Sequence, residues 1–268
     1  MGKTIGVISL KGGVGKTSSV VALGSALEEM GKKVLMVDGN FSAPNLGLHL
    51  NVLEPAVTLH HVMDRSARIS DAIYELSEKF HVLPASLFGK KVLNPLKLKD
   101  KLRTVKNKYD VTLIDSSPAM NEETLAAMLA SDEVLVVTTP DFPTLSTTMK
   151  AVKLAKQRGT PIGGLILNKV HDKNFELSTD HIEETAGVPV LASVPHDINV
   201  MEAQSKFQSS VQHKPNSDSS FEFKKLAATL VGQKYQKKRF KDMFNIMKKI
   251  SPERHEVNRE LYYQQVFD

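Results

Sequence analysis

Short runs of apolar and β-branched residues recur along the chain, and most of them are apolar at nearly every position rather than at alternate ones. A strand of this kind is typical of a parallel sheet whose two faces are both covered. The runs therefore predict a buried, mostly parallel sheet. They are Thr4–Ser9, Lys33–Asp38, His81–Pro84, Val111–Asp115, Glu133–Thr138, Gly163–Leu167 and Val188–Val194.

Stretches with helical spacing lie between most of these runs, for example residues 18–30 and 145–158. Strands that alternate with amphipathic helices are typical of an α/β domain with helices on both faces of its sheet. The alternation has ended by Gly232, after which a basic helical pattern and a polar tail follow. We therefore expect one α/β domain over residues 1–232 and a C-terminal appendage over residues 233–268.

The composition is that of an ordinary globular protein, with 41% hydrophobic and 24% charged residues in a chain of 268. The chain contains no Cys, which excludes a disulfide scaffold, an iron–sulfur cluster and any thiol-based zinc site or nucleophile. No apolar run approaches the roughly 18–20 residues that span a bilayer, and the first residues do not resemble a signal peptide. We therefore expect a cytoplasmic protein.

Basic charge is concentrated in two segments. The formal net charge is +5, and residues 233–268 contain nine Lys or Arg against five Asp or Glu. The segment Lys90–Lys108 contains eight basic residues and a single acid, Asp100. Concentrated positive charge suggests an anionic partner, while the alternative for such a run is a solvated helix face.

A glycine-rich loop follows the first predicted strand and precedes the first predicted helix. From Leu10 to Thr17 it reads LKGGVGKT. Successive backbone N–H groups of such a loop point at phosphate oxygens, next to the positive end of the following helix. Lys16 would reach the β- and γ-phosphates, and the Thr17 hydroxyl would hold Mg²⁺. The loop therefore predicts a nucleoside triphosphate site.

Two aspartates end predicted strands at the carboxyl edge of the sheet, where open α/β folds bind ligands. Asp38 ends the second run and Asp115 ends the fourth. A single Asp after a strand is often only a helix N-cap. Because there are two of them in addition to Thr17, we favour a Mg²⁺ site made of Thr17, Asp38 and Asp115.

The strict G-x-x-x-x-G-K-[ST] pattern fails at its first position, Leu10, and the loop carries a second lysine, Lys11. The sequence KGGVGKT resembles the deviant Walker A motif of the MinD/ParA family of P-loop ATPases, and the MinD branch fits best. Further motifs follow in the family's order over about residues 3–232. They are Val37–Asn40 with Pro44–Leu46 (switch I), Tyr109–Pro118 (the Walker B strand and switch II), Leu165–Lys169 (the adenine-binding asparagine) and Val194–Asp197 (the loop over the base).

The resemblance implies a P-loop NTPase fold and an ATP-dependent homodimer that encloses two nucleotides. In this family Lys11 reaches across the interface, so that the nucleotide state controls association. The cofactors implied are ATP and Mg²⁺, and an activating protein partner is also expected. The catalytic residues implied are Lys11, Lys16, Asp38 and Asn40, and the nucleotide-binding residues are Gly12, Gly13, Val14, Gly15, Lys16, Thr17, Ser18, Asn168, Pro195 and Asp197.

One position of switch I departs from the family pattern. The family has Asp-x-Asp, in which the second acid is associated with the attacking water, and this chain has Asn40 in its place. An amide orients a water by hydrogen bonding but cannot take its proton. Since phosphoryl transfer depends mainly on positioning and electrostatics, we expect hydrolysis that is slow rather than absent.

The basic segment after Gly232 has the pattern of an amphipathic helix with one apolar face. Such a helix can lie in the headgroup region of an anionic membrane, and it resembles the membrane-targeting helix of MinD, although Ser251–Asp268 follow it here. The alternatives are a helix packed on its own domain and a helix that binds a partner groove. The apolar face extends over Phe240–Ile250 and comprises Phe240, Met243, Phe244, Met247 and Ile250.

Three functions are consistent with these patterns. The favoured one is a MinD-like ATPase that acts as a spatial-positioning switch in the cytoplasm or at the inner face of the cell membrane. The second is a ParA-like DNA-segregation ATPase that binds nonspecific DNA through Lys90–Lys108. The third is an adapter that binds ATP and dimerises with little turnover, as the change at Asn40 suggests. Iron–sulfur carriers and reductases of this fold are excluded, because they need interface cysteines.

Overall fold

The computed structural model describes residues 2–89, 92, 94–235 and 252–267, and these residues contain one eight-stranded sheet. The strands are β1 (Lys3–Ile8), β2 (Val34–Gly39), β3 (Tyr74–Glu75), β4 (Phe80–Leu83), β5 (Val111–Ser116), β6 (Glu133–Thr138), β7 (Ile162–Val170) and β8 (Val190–Pro195). Their order is β3-β4-β2-β5-β1-β6-β7-β8. Neighbouring strands are parallel except β3 and β4, which are antiparallel.

Eleven α-helices accompany the sheet in the described part of the chain. They are α1 (Lys16–Glu29), α2 (Leu46–His49), α3 (Leu59–Met63), α4 (Leu98–Arg103), α5 (Glu122–Ala130), α6 (Phe142–Gln157), α7 (Thr179–Ala186), α8 (Ile198–Ser205), α9 (Ser210–His213), α10 (Asp218–Leu230) and α11 (Arg254–Phe267).

Helices cover both faces of the sheet. Along β2, Val34 and Met36 contribute to a core shared with α1 and α10, whereas Leu35 and Val37 belong to a second core with α4 and α5. A third core joins β6 and β7 to α6 and α7. Alternate residues of a strand thus face opposite helix layers, which explains why the strands are apolar at nearly every position.

The fold class predicted from the sequence is confirmed: an α/β fold with a mostly parallel sheet between two helix layers. All seven predicted strands are present, with ends that differ by at most three residues. The eighth strand, β3, is absent from the prediction because two residues are too short to carry a hydrophobic pattern. The order places the carboxyl ends of β1, β2 and β5 side by side, where a ligand site is expected.

The last described helix, α11, packs back onto this α/β body. Arg259 forms a buried ion pair with Glu222 of α10 at 2.9 Å. Tyr262 is also buried, and its hydroxyl donates to Glu133, the first residue of β6, at 2.7 Å. The sequence predicts only a polar tail here, because the helix is held by ion pairs and hydrogen bonds rather than by a long apolar stripe.

The predicted membrane-binding face, Phe240–Ile250, lies outside the described residues. In the sequence it falls between α10 and α11, which are both packed on the body. Among the described residues, none of the helices combines the length and the apolar character that a membrane span requires.

Candidate functional site

The predicted phosphate loop connects β1 to α1 at the carboxyl edge of the sheet. Gly13 and Gly15 have positive φ angles of 79° and 88°, a conformation that favours glycine. A Cβ on Gly15 would also lie 2.3 Å from Nδ2 of Asn168, so the position requires glycine for space as well. Residues 11–18 line a cleft at the start of α1, where N–H groups and the positive helix end favour an anion.

Lys16 and Thr17 converge on one carboxylate at the end of β5. Lys16 Nζ lies 2.5 Å from Oδ1 of Asp115 and also donates to the Ser116 carbonyl. Thr17 Oγ1 donates to the other carboxylate oxygen at 2.7 Å. Lys16 and Asp115 are both buried. The structure thus brings together the lysine expected to bind phosphate with two of the three expected metal ligands.

Asp38, the third of these ligands, is fully buried and pairs with Asp115 in the parallel register of β2 and β5. Its carboxylate accepts backbone hydrogen bonds from Asn40, Asn45 and Leu46 at 3.0–3.2 Å. Burial, reinforced by the neighbouring Asp115, raises the pKa of Asp38 to about 7. A bound cation would counter both effects, because it favours the ionised carboxylate.

The residues present fit Mg²⁺. Thr17, Asp38 and Asp115 provide a hydroxyl and two carboxyl groups, and oxygen atoms are the ligands that this ion prefers. Within the described ranges, no group of three or more His, Cys, Asp and Glu side chains is placed to hold a metal. Mg²⁺ is usually held by one or two carboxylates together with phosphate oxygens and water, so a bound ion would need few ligands from the protein.

Asn40 lines the cleft beside these carboxylates. Its side chain is 4% exposed, and its Nδ2 donates to the Ala43 carbonyl. Its Oδ1 has no hydrogen-bond partner in the part of the chain that the structure describes. An unpaired buried polar atom costs about 1–3 kcal/mol, so this oxygen is an acceptor available to a water or a ligand.

Lys11, the second lysine of the loop, contacts its own chain. Its Nζ donates to Thr144 Oγ1 at 2.8 Å and lies 3.4 Å from Oδ1 of Asp141, at the start of α6. Burial alone would raise the pKa of Asp141, but hydrogen bonds from threonines and the charge of Lys11 outweigh it, and the pKa is lowered. Lys11 is thus paired within one protomer, and its action across a dimer interface stays a prediction.

The far side of the cleft is formed by the ends of β7 and β8. Asn168 donates from Nδ2 to the Val14 carbonyl at 2.8 Å. Pro195 and Asp197 line the cleft, and Asp197 accepts a hydrogen bond from Ser219 at 2.6 Å. The cleft has a volume of about 420 Å³, within the range of small-molecule sites. The predicted base-binding residues therefore lie on the same cleft as the phosphate loop.

Two residues inside the predicted motifs Leu165–Lys169 and Val194–Asp197 line the cleft but are not among the predicted site residues. Lys169 has a positive φ of 58°, and its Nζ donates to the Gly13 carbonyl at 2.7 Å, which ties β7 to the phosphate loop. His196 stacks on His171, with ring centroids 4.5 Å apart. Lys169 could have been found from its place directly after Asn168, whereas the histidine stack joins two distant loops and leaves no sequence pattern.

The described part of the basic segment Lys90–Lys108 does not line this cleft, and residues 90, 91 and 93 of the segment fall outside the described ranges. Its described part is largely helical and includes α4. Several of its cations are exposed and form no ion pair with a described residue. These are Lys97, Lys99, Arg103 and Lys108.

Comparison with known proteins relates the whole α/β body to one family. The AAA_31 family model, described as an AAA domain, matches residues 2–161. An uncharacterized ATP-binding protein of Methanocaldococcus jannaschii is 35% identical over 230 residues, which cover 85% of this chain and 88% of that protein.

Two solved structures are similar over nearly their entire length. The cell division ATPase MinD of Pyrococcus furiosus has 36% identity and a TM-score of 0.80, covering 85% of this chain and 97% of that one. The septum site-determining protein MinD of Pyrococcus horikoshii, complexed with Mg-ADP, has 35% identity and a TM-score of 0.81, covering 86% and 96%. From the deviant phosphate loop, the fold and these similarities, the chain belongs to the MinD/ParA family of P-loop ATPases.

Proposed function

We propose that the chain is a Mg²⁺-dependent ATPase whose nucleotide state controls its association with a second copy and thereby its position in the cell. The observation that carries this proposal is the convergence of Lys16 and Thr17 on Asp115, beside the buried Asp38 and next to the glycine-rich loop. The Mg-ADP complex of the Pyrococcus horikoshii relative supports the choice of ligands.

Nucleotide binding would redistribute the contacts of Lys16 and Thr17, which both now satisfy Asp115. Phosphate oxygens offer Lys16 short, charge-assisted hydrogen bonds. Once Lys16 has turned to phosphate, Asp115 and Thr17 are available to hold Mg²⁺ together with Asp38. When bound, Mg²⁺ neutralises charge that develops on the transferred phosphoryl group. Until then the ion pair keeps two buried charges balanced.

Asn40 would orient the attacking water through its free Oδ1. Because Nδ2 is already bonded to the Ala43 carbonyl, the amide is fixed with its acceptor unpaired. The amide cannot remove the proton of the water, and assisted proton transfer contributes about 10²–10⁴-fold where it operates. We therefore propose slow hydrolysis, in which the water is positioned but not deprotonated by switch I.

Lys11 would exchange its partner when two protomers meet. In one protomer it is held by Thr144 and Asp141. The γ-phosphate of a nucleotide bound in the partner carries more charge than one carboxylate, so the exchange is favoured only when ATP is present. Hydrolysis and loss of the γ-phosphate would release the pair.

Light scattering with and without Mg-ATP tests the switch directly. We expect the wild type to dimerise with Mg-ATP, and Lys11→Ala to bind nucleotide but to stay monomeric. A Lys11→Ala variant that dimerises as well as the wild type would show that this lysine does not act across an interface.

Single-turnover hydrolysis tests the role of Asn40. We expect Asn40→Asp to hydrolyse ATP faster and to shorten the lifetime of the dimer, because the variant restores a proton acceptor. If the wild type already turns over briskly and Asn40→Asp is no faster, the amide is sufficient. If neither turns over, the chain is an ATP-binding adapter rather than a working ATPase.

For the surface on which the switch acts, we propose an anionic membrane, contacted by Phe240–Ile250 from the cytoplasmic side, as part of a role in cell division. The two Pyrococcus relatives are described as a cell division ATPase and a septum site-determining protein. A second candidate is nonspecific DNA, favoured by the exposed cations Lys97, Lys99 and Arg103, which form no ion pair with a described residue. An activating protein partner remains part of the proposal.

Co-sedimentation with anionic liposomes and with nonspecific DNA, each with and without ATP, separates these candidates. If the surface is a membrane, substitutions within Phe240–Ile250 should abolish liposome binding, and charge reversal at Lys97 and Lys99 should leave it unchanged. The opposite pattern, with a steep dependence on salt, would favour DNA.

A further inference from the structure

Three buried polar atoms near the switch I loop, residues 40–45, have no hydrogen-bond partner among the described residues. They are Oδ1 of Asn40, Nε2 of His60 and Oε2 of Glu123. The three residues are 4%, 8% and 8% exposed. Because nearly all buried polar atoms in proteins are paired, such exceptions require an explanation, which is often functional.

Glu123 connects the switch I loop to α5. Its Oε1 accepts a hydrogen bond from the hydroxyl of Ser42, which is itself exposed in the middle of the loop. Glu122 occupies the same first turn of α5 but is exposed and has no hydrogen bond or ion pair with another described residue. Favourable interaction with the helix dipole accounts for an acid at either position. It does not account for the burial of Glu123.

His60 is the second of these residues, and its Nε2 has no hydrogen-bond partner among the described residues. Its Nδ1 accepts a hydrogen bond from the Ser86 N–H at 3.0 Å. Burial lowers the pKa of His60, so the neutral ring carries its hydrogen on Nε2. The Phe41 ring contacts His60 edge-on, with centroids 5.7 Å apart, so His60 packs against the switch I loop, which Ser42 links to Glu123.

We propose that Glu123 is a positioning residue for ATP hydrolysis, which holds the switch I loop through Ser42 and thereby keeps Oδ1 of Asn40 at the cleft. This inference rests on the ATPase function proposed above. The loop has no second acid of its own, since Asn40 stands at that position. Asn40 is bonded to Ala43, so Ser42 lies between the two ends of that contact, and a displacement of Ser42 would be transmitted to Asn40.

A positioning role predicts an effect on rate without an equal effect on binding. A misplacement of about 1 Å can lower a rate by as much as about 100-fold. Glu123 is not among the described residues that line the cleft, whereas the phosphate loop is. We therefore expect Ser42→Ala and Glu123→Gln each to slow single-turnover hydrolysis by about 10-fold. The ATP dissociation constant should change by no more than about twofold, because a loss of positioning slows the chemical step and leaves the nucleotide-binding contacts in place.

The test uses the full chain with Mg-ATP and measures the single-turnover hydrolysis rate and the ATP dissociation constant of each variant. Glu122→Gln is the matched control, since it removes the neighbouring charge from the same helical turn, and its hydrolysis should equal that of the wild type. Ser42→Thr keeps the hydroxyl and should retain most of the rate. The double variant Ser42→Ala/Glu123→Gln should be no slower than the slower single variant, because both changes remove one contact.

Several results would overturn the inference. The first is a Glu123→Gln variant that hydrolyses ATP as fast as the wild type, and the second is an equal loss of hydrolysis rate and ATP affinity in the single variants. The third is a double variant whose loss of rate is the product of the two single losses. The fourth is a Glu122→Gln variant that is as slow as Glu123→Gln. Because Ser42 is exposed, the comparison of Ser42→Ala with Ser42→Thr decides the matter even if Glu123→Gln does not fold. A wild type that neither binds nor hydrolyses ATP refutes the proposed function itself, whereas an active wild type with unaffected variants refutes this inference alone.

Discussion

One of the contacts that attach α11 to the α/β body is a buried carboxylate, Glu222. It forms an ion pair with Arg259 at 2.9 Å and contacts His255 at 3.3 Å. Arg259 also donates to the Leu191 carbonyl at 2.9 Å. Replacement of Glu222 by Gln removes the counter-charge but leaves the buried guanidinium. The loss of one partner of a buried pair typically costs about 3–5 kcal/mol.

The same carboxylate makes the stability depend on pH. Burial alone would raise the pKa of Glu222, but the hydrogen bond from His255 and the charge of Arg259 outweigh it, and the pKa falls from 4.5 to about 2. A group with a depressed pKa in the folded state contributes its stability above the unfolded pKa and loses it as the pH falls toward the folded value. The difference between the unfolded and folded pKa values corresponds to about 3 kcal/mol of unfolding free energy at pH 7. About 2 kcal/mol of this contribution is lost by pH 3.

Urea unfolding of the wild type and Glu222→Gln, followed by circular dichroism at pH 7 and pH 3, measures this contribution. We expect the variant to be less stable by about 3 kcal/mol at pH 7 and by about 1 kcal/mol at pH 3. Glu260→Gln is a suitable control, because Glu260 is exposed on the same helix and its ion pair with Lys234 is expected to contribute less than about 1 kcal/mol. A stability difference for Glu222→Gln that is the same at both pH values would refute the reasoning.

Three further predictions concern the cleft and the tail. Gly15→Ala should lower ATP affinity by at least about 10-fold in equilibrium titration, because φ is +88° and the new Cβ would collide with Asn168; unchanged affinity would contradict it. Asp141→Asn should dimerise at lower protein concentration with Mg-ATP, because Lys11 loses the charge that holds it in one protomer; a weaker dimer would show that Asp141 supports association. Phe244→Glu should abolish binding to anionic liposomes and leave ATP binding intact, since a charge on the apolar face opposes insertion; retained liposome binding would exclude the membrane contact.

The sequence is sufficient to predict those parts of the fold and the site that depend on local pattern. The phosphate loop could be predicted because its chemistry lies in eight consecutive residues between a strand and a helix. Asp38 and Asp115 could be placed near each other because the carboxyl ends of parallel strands meet at one edge of the sheet. Their pairing in one register of β2 and β5 confirms that placement.

Contacts between distant residues could not be predicted in the same way. The hydrogen bond from Ser42 to Glu123 spans 81 residues, and the contact of Lys11 with Asp141 spans 130. Neither contact produces a periodic pattern of residues in the sequence. The helix α11 was equally hidden, because its buried side chains include polar groups such as Arg259, which hydrophobic patterns assign to the solvent.

The nucleotide cleft and the anchoring of α11 lie at opposite edges of the same sheet. The cleft is built on the carboxyl ends of β1, β2 and β5. At the amino edge, Lys3 contacts Glu133 at 3.0 Å, Tyr262 of α11 at 2.8 Å and the last carbonyl of α10, that of Leu230, at 3.4 Å. Removal of all residues after 232 would leave buried groups at this edge without partners, so it would test stability together with surface binding. Substitutions within Phe240–Ile250 leave Tyr262 and α11 in the chain, and they are therefore the sharper means of asking whether that segment binds a surface.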